Sequence, residues 1–222
     1  MKNSKEHSQQ LQRLYRGLKR AHPKADKTTY DDPIDALIYG IISEHLTESA
    51  AQRVMKEFHQ TFVDWNDLRV ARPEEIVEIL QEDTAVSRAT AVALTSALRA
   101  VFDEYHMLSL QTLKRIGKRP AKQVLDQLDG VSQYVVSYCM LTSLQGHAIP
   151  LTEQMIAYLK RNGIVDPEAD LQDIEGFLTR QVAAKDAYAF YGMLRRESES
   201  PKLAKKARKT RWKTKKVVKA KK

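Results

Sequence analysis

The sequence predicts an all-α globule of about ten short helices followed by a basic tail. Three observations carry this. Apolar residues recur at helical spacing along residues 8–196. No alternating pattern bounded by hairpin turns occurs anywhere. Start signals such as Asp32-Pro33, Thr47, Thr84, Ser132 and Thr152 break the chain too often for a simple four-helix bundle.

In chain order, Ser8 caps a first amphipathic helix with Leu11, Leu14, Tyr15 and Leu18 on one face. A polar loop, Lys24 to Tyr30, follows. Asp32 is an N-cap and Pro33 stands at the first helical position. Pro33–Leu46 is nearly all apolar and reads as a central helix covered on most sides. Thr47 caps the next helix, with Ala50, Ala51, Val54, Met55 and Phe58 inward. Pro73–Leu80 carries Glu74 and Glu75 in its first turn, which suits the helix dipole. Thr84–Tyr105 is long and alanine-rich; Leu108–Ile116 and Pro120–Leu128 are short. Ser132–Leu144 is apolar on several sides, Thr152–Arg161 stops at Asn162-Gly163, and Leu171–Val182 and Asp186–Arg196 close the body.

A chain of 222 residues, 42% hydrophobic, is long enough to bury a substantial core and reads as globular. Its apolar runs are broken by charge before the ~18 residues a membrane span needs, so no membrane partner is expected. The polar start, Met1 to Gln10, carries no secretory signal. The one cysteine, Cys139, excludes an internal disulfide and a cysteine-ligated zinc or iron–sulfur site. Its apolar neighbours mark it as a buried, inert thiol. The six histidines show no H-x-x-x-H spacing, and neither a metal nor another cofactor is expected.

Charge is unevenly divided. Pro201–Lys222 holds twelve Lys or Arg and no acid, while residues 1–200 carry 25 basic against 28 acidic residues, a net −3. Lys205, Lys206, Arg208, Lys209, Arg211, Lys213, Lys215 and Lys216 form the densest part of the tail. Such a segment cannot bury enough surface to fold alone and is expected to be disordered. Phosphate neutralisation is one use of it; a solubilising tail or a nuclear address is the plainer alternative.

One short element is specific. Leu128, Gly130, Val131, Ser132 and Gln133 join helix Pro120–Leu128 to helix Ser132–Leu144 in an L-x-G-V turn. A helix–hairpin–helix of this kind offers backbone N–H groups and a helix N-terminus to a DNA phosphate. An ordinary αα-turn with a glycine is the alternative. Lys114, Arg115, Lys118, Arg119 and Lys122 precede the hairpin and fit backbone positioning of DNA, or else a solvated basic loop.

The segments Pro33–Glu48, Leu128–Val136 and Leu151–Gly163 resemble, in order and spacing, three motifs of the endonuclease III-like helix–hairpin–helix (HhH-GPD) DNA glycosylases. They match the first barrel helix with its S-x-Q-x-T-D continuation, the hairpin L-P-G-V-G-x-K-T-A, and V-D-T-H-V-x-R-V-L-x-R-x-G. The resemblance covers residues 8–196. It implies a two-lobed fold: a six-helix barrel over residues 33–148, with the hairpin at 120–144, and a lobe of residues 1–32 with 149–197. Residues 198–222 are the tail. It also implies a cleft for DNA with Tyr134 and Thr152 facing each other across it.

No motif is intact. The family's Schiff-base lysine corresponds to Tyr134, a residue also found there in some monofunctional members. The family's essential aspartate corresponds to Thr152. A hydroxyl cannot supply the electrostatic stabilisation that a carboxylate gives a developing cation, a loss of ~10²–10³ in rate or more. Threonine does keep the helix-capping role. Glu153 is the alternative acid, but one residue along a helix turns the side chain by ~100°. Ser132 replaces the second hairpin glycine, and His45 replaces the glutamine that probes the duplex. The cluster-binding cysteines that follow the last helix in many members are absent.

Three functional readings follow from the resemblance and the composition. The first is a monomeric duplex-DNA-binding protein on a base-excision-repair scaffold, with base excision lost or strongly reduced. The second is an active monofunctional glycosylase using another acid. The third is an architectural protein in which the tail does the binding. In a bacterium any of these would sit in the cytoplasm, at the nucleoid.

Overall fold

The computed structural model describes residues 4–23 and 28–200. Among these the chain is helical throughout, with no strand. The helices are α1 (Ser4–Ala21), α2 (Pro33–His45), α3 (Glu48–Thr61), α4 (Trp65–Val70), α5 (Pro73–Leu80), α6 (Ala85–Tyr105), α7 (Lys118–Gln127), α8 (Gln133–Thr142), α9 (Glu153–Arg161), α10 (Leu171–Gln181) and α11 (Ala184–Ser198). The tail residues 201–222 lie outside the described residues.

Capping side chains set most of the boundaries. Asp32 accepts from Ile34 N, Thr84 and Ser87 form a reciprocal capping box, and Ser132, Thr152 and Asp170 each accept from an N–H in the first turn of the helix that follows. Thr47 stands at the N-cap of α3 but makes no capping bond.

Two expectations are corrected, and two features of the helices went unforeseen. The first helix begins at Ser4 rather than Ser8, and His7 within it donates through Nδ1 to Gly163 O (3.3 Å). The expected helix Leu108–Ile116 is only a 3₁₀ turn, Gln111–Lys114. Asp32 explains this, because it also accepts from Leu110 N and Ser109 Oγ and so bends the chain before a helix can propagate. The six-residue α4, capped by Asp64, is too short to show a period and went unpredicted. Finally, α6 is long and apolar enough to cross a membrane by length and composition alone. Here Leu94, Ala97, Leu98 and Val101 of α6 are buried, against a helix pack to which α2, α4 and α5 contribute.

Two groups of helices share one continuous core. In the first, α2 packs on α3, α6 and α8, while α4 and α5 cover α6 and α7 lies along α8. In the second, α11 packs on α1 and α9. Contacts of α11 with α8 join the two groups. The central pair, α2 and α8, approach closely at Gly40, where a Cβ would lie 3.1 Å from Val135 Cγ1.

The hairpin turn is fixed against α6. Gly130 has φ +77°, and a Cβ there would lie 2.6 Å from Ala93 O. Its glycine is therefore demanded by packing and backbone geometry before any ligand is considered. Gly130→Ala is expected to cost at least about 2 kcal/mol, the sum of left-handed strain and overpacking. Urea unfolding checks this; a loss under about 0.5 kcal/mol would show that the turn relaxes freely.

Candidate nucleic-acid interface

The hairpin comprises α7, residues 128–132 and α8. Asp129 and Gly130 are exposed at its tip, and Leu128, Val131, Ser132 and Gln133 are half-buried. Ser132 caps α8, its Oγ accepting from Val135 N (3.2 Å) and donating to Glu44 Oε2 (2.8 Å). This bond ties the hairpin to the corner between α2 and α3, where His45 is exposed. A groove of about 520 Å³ opens from that corner, lined among others by His45, Arg53, Glu57, Gln81, Glu82 and Thr84.

An acid that sequence reasoning missed, Glu175 of α10, meets the hairpin. Gln133 Nε2 donates to Glu175 Oε2 (3.2 Å) and Ser137 Oγ to Glu175 Oε1 (3.3 Å). With Asp129 and Glu44, this places three carboxylates around the start of α8. Burial raises the Glu175 carboxyl above its ordinary value, and the two hydrogen bonds and Lys122 only partly offset this. A carboxyl raised on folding binds its proton more tightly in the folded chain. Its contribution is therefore lost as pH rises from the unfolded value near 4.5 through the folded one. Glu175→Gln is expected to raise Tm at pH 7 by a few degrees, with the gain vanishing below about pH 4.5.

The basic residues divide. Lys114 and Lys118 lie beside Ser143–Gln145, at the ends of α7 and α8 remote from the turn. A ten-residue helix separates that end from the tip by ~15 Å. Lys114 Nζ donates to Tyr30 O (3.4 Å) and Asp31 O (2.5 Å). Arg115 and Arg119 are exposed. Lys122, one turn into α7, pairs with Asp126 at 2.7 Å and lies near Glu175. Lys205, Lys206, Arg208, Lys209, Arg211, Lys213, Lys215 and Lys216 are outside the described residues.

Tyr134 and Thr152 do not face an open cleft. Tyr134 is 3% exposed and Thr152 6%. Thr152 Oγ1 accepts from Met155 N (3.3 Å), while Glu153 beside it is exposed. Tyr134 belongs to a buried network centred on Arg195, which is 1% exposed. Arg195 Nη1 donates to Tyr134 Oη (2.5 Å) and Tyr191 Oη (2.8 Å). Its Nη2 donates to Ser43 O (2.7 Å) and Leu46 O (2.9 Å), and Nε meets Glu199 (2.9 Å) and Glu48 (3.2 Å). All five guanidinium N–H groups are thus engaged. Tyr39 Oη donates to Glu48 Oε1 (2.7 Å), and Glu48 N to Glu199 Oε2 (2.9 Å). Burial raises the Tyr134 phenol above its ordinary value despite Arg195 beside it, so it stays neutral. Cys139 is fully buried, and burial pushes its thiol up in the same way.

No protein-family profile matches the chain. A curated Arabidopsis thaliana protein, provisionally named as a DNA glycosylase, is 24% identical over 157 residues, 71% of this chain. The chain spans about half the length of that relative, 53%. Among solved structures, endonuclease III trapped covalently on DNA superposes with TM-score 0.67 at 15% identity, over 85% of this chain and 84% of that one. The Clostridium acetobutylicum 8-oxoguanine glycosylase/lyase bound to double-stranded DNA gives 0.66 at 16%, over 87% and 69%. The H. pylori 3-methyladenine DNA glycosylase bound to 1,N6-ethenoadenine gives 0.62 at 12%, over 88% and 97%. The chain has the all-helical fold of endonuclease III.

Proposed function

We propose that the protein binds duplex DNA through the hairpin tip and the α2–α3 corner, on a base-excision-repair scaffold whose base-excision chemistry is lost or strongly reduced. The observation that carries this reading is the buried Tyr134–Arg195 network. It stands at the position that resembles the family's lysine and neither exposes a nucleophile nor leaves a free carboxylate beside it. The acids that do reach the network, Glu48 and Glu199, are engaged by Arg195. The solved relatives on DNA support the partner. Such a role places the protein with DNA, in a nucleoid or a nucleus.

Affinity on this reading is divided between the body and the basic tail. Full-length protein is expected to bind duplex DNA with a steep dependence on salt, and truncation after Ser200 to flatten that slope markedly. In the truncated body His45→Ala weakens the remaining binding, and Glu175→Gln strengthens it about three- to tenfold by removing a carboxylate from the phosphate approach. An unchanged slope would assign affinity to the body alone. Indifference to both substitutions would remove the hairpin face as the interface and favour the architectural reading.

A further inference from the structure

Along the first half of α2 a recess of about 530 Å³ opens between α2 and α3, with Tyr30, Tyr39, Met55 and His59 on its walls. Asp35 is the acid that lines it. This carboxylate is half-buried, and among the described residues its one hydrogen bond comes from Trp65 Nε1 to Oδ1 (2.8 Å). No lysine or arginine among those residues pairs with it. Burial raises the carboxyl above its ordinary value, and the Trp65 bond and His59 offset this only in part. An incoming cation stabilises a carboxylate in that state.

The walls suit a cation too. Tyr30 and Tyr39 engage their hydroxyls outside the recess, with Tyr138 Oη (3.0 Å) and Glu48 Oε1 (2.7 Å), and line it with their rings. His59 packs on the Trp65 indole, ring centroids 4.9 Å apart. A carboxylate among aromatic rings is a surrounding for a guanidinium, which takes a charged hydrogen bond from the one and ring contact from the others. Lys56 and, when protonated, His59 oppose a cation. Asp31 and Asp32, whose charges Asp35 feels, favour one.

The chain carries guanidinium groups within reach. Glu199 Oε2 accepts from Glu48 N, and the Glu48 carboxylate meets Tyr39 Oη on the recess wall. The basic segment thus starts near the recess. Arg208 stands eight residues beyond Ser200, a reach of up to ~29 Å, within a stretch of twelve basic residues and no acid. We propose that the recess beside Asp35 docks this segment, taking Arg208 or Arg211 against the Asp35 carboxylate and the rings of Tyr30, Tyr39 and His59. Asp35 and His45 are ten residues apart on α2, ~15 Å, so a docked arginine is withheld from the α2–α3 corner. DNA and the recess are then rivals for one segment. That rivalry rests on the DNA-binding reading; the docking does not.

The test uses the full ¹⁵N-labelled chain with a nitroxide on Thr210→Cys, since Cys139 is fully buried and does not take the label. The label should broaden the Trp65 indole N–H and the amides of Met55 and His59 beyond those of α9 and α10, and salt should weaken the effect. Asp35→Asn, which keeps an acceptor for Trp65, should cut the broadening to about a third, as should Arg208→Gln with Arg211→Gln. Glu168→Gln, an equal loss of charge outside the recess, should not. Broadening spread evenly over the surface, or unchanged in Asp35→Asn, would overturn the site. Equal broadening of a nitroxide-free ¹⁵N chain by a labelled second copy would overturn docking within one chain. In the full chain without the label, Asp35→Asn should tighten binding to duplex DNA about threefold at low salt, and lose that gain when Arg208 and Arg211 are glutamine. An affinity unchanged by Asp35→Asn would overturn the rivalry while the nitroxide result decides the docking.

Discussion

Replacing Arg195 by methionine is expected to destabilise the fold by about 3–5 kcal/mol, the largest single-residue effect foreseen here. The side chain is 1% exposed and satisfies acceptors from α2, the α2–α3 corner, α8 and α11 at once. Methionine fills much of the volume but leaves Ser43 O, Leu46 O and two tyrosine hydroxyls without their donor. It also leaves Glu48 and Glu199 without their counter-charge. Equilibrium urea unfolding at pH 7 reads the effect as a lower midpoint with unchanged m. Arg195→Lys keeps the charge but offers three donors in place of five, so an intermediate loss is expected. A loss below about 1 kcal/mol for the methionine variant would mean that solvent already satisfies these groups.

The second large effect concerns catalysis. Borohydride is expected to trap no covalent complex with DNA, because a neutral buried phenol at residue 134 cannot form a Schiff base. Base release from duplexes containing uracil, thymine glycol or mismatches is expected at background. Thr152→Asp keeps the cap on α9 and supplies a carboxylate, an electrostatic change worth ~10²–10³ where a reacting sugar is in reach. Since Thr152 is itself buried, 6% exposed, the single change is expected to leave base release at background. Wild-type turnover that disappears in Glu153→Gln would overturn this and establish the exposed Glu153 as the acid. Turnover indifferent to both substitutions would point to another carboxylate, since oxocarbenium chemistry needs one nearby.

Helices whose ends are written in local chemistry were legible in the sequence. Asp32-Pro33, Thr84 and Thr152 announced α2, α6 and α9 within a residue, because a cap acts on its own first turn. The 3₁₀ turn at Gln111–Lys114 was not legible, since it is imposed by Asp32 some 77 residues earlier. The same limit hid the centre of the site. Arg195 reads locally as one of two adjacent arginines at the end of an amphipathic helix, yet its acceptors Ser43 O and Leu46 O lie 152 and 149 residues away. Periodicity gave no reason to place it inside. Glu175 was overlooked for a similar reason: only the meeting of α8 and α10 puts it beside Gln133.

The pinning of Glu199 has a consequence for how the basic tail acts. Glu199 is held by Arg195 and by Glu48 N, so residue 200 is tethered at the α2–α3 corner that also bears His45. The segment with twelve basic residues is therefore joined to the body at this corner. On the proposed reading, DNA seated on the hairpin face would be within reach of a chain that spans at most ~3.6 Å per residue. Once one element holds the strand, the other meets it at an effective concentration on the order of millimolar. Two individually feeble grips of this kind combine multiplicatively in residence time. Moving the segment to the N-terminus would preserve every charge and forfeit much of that avidity.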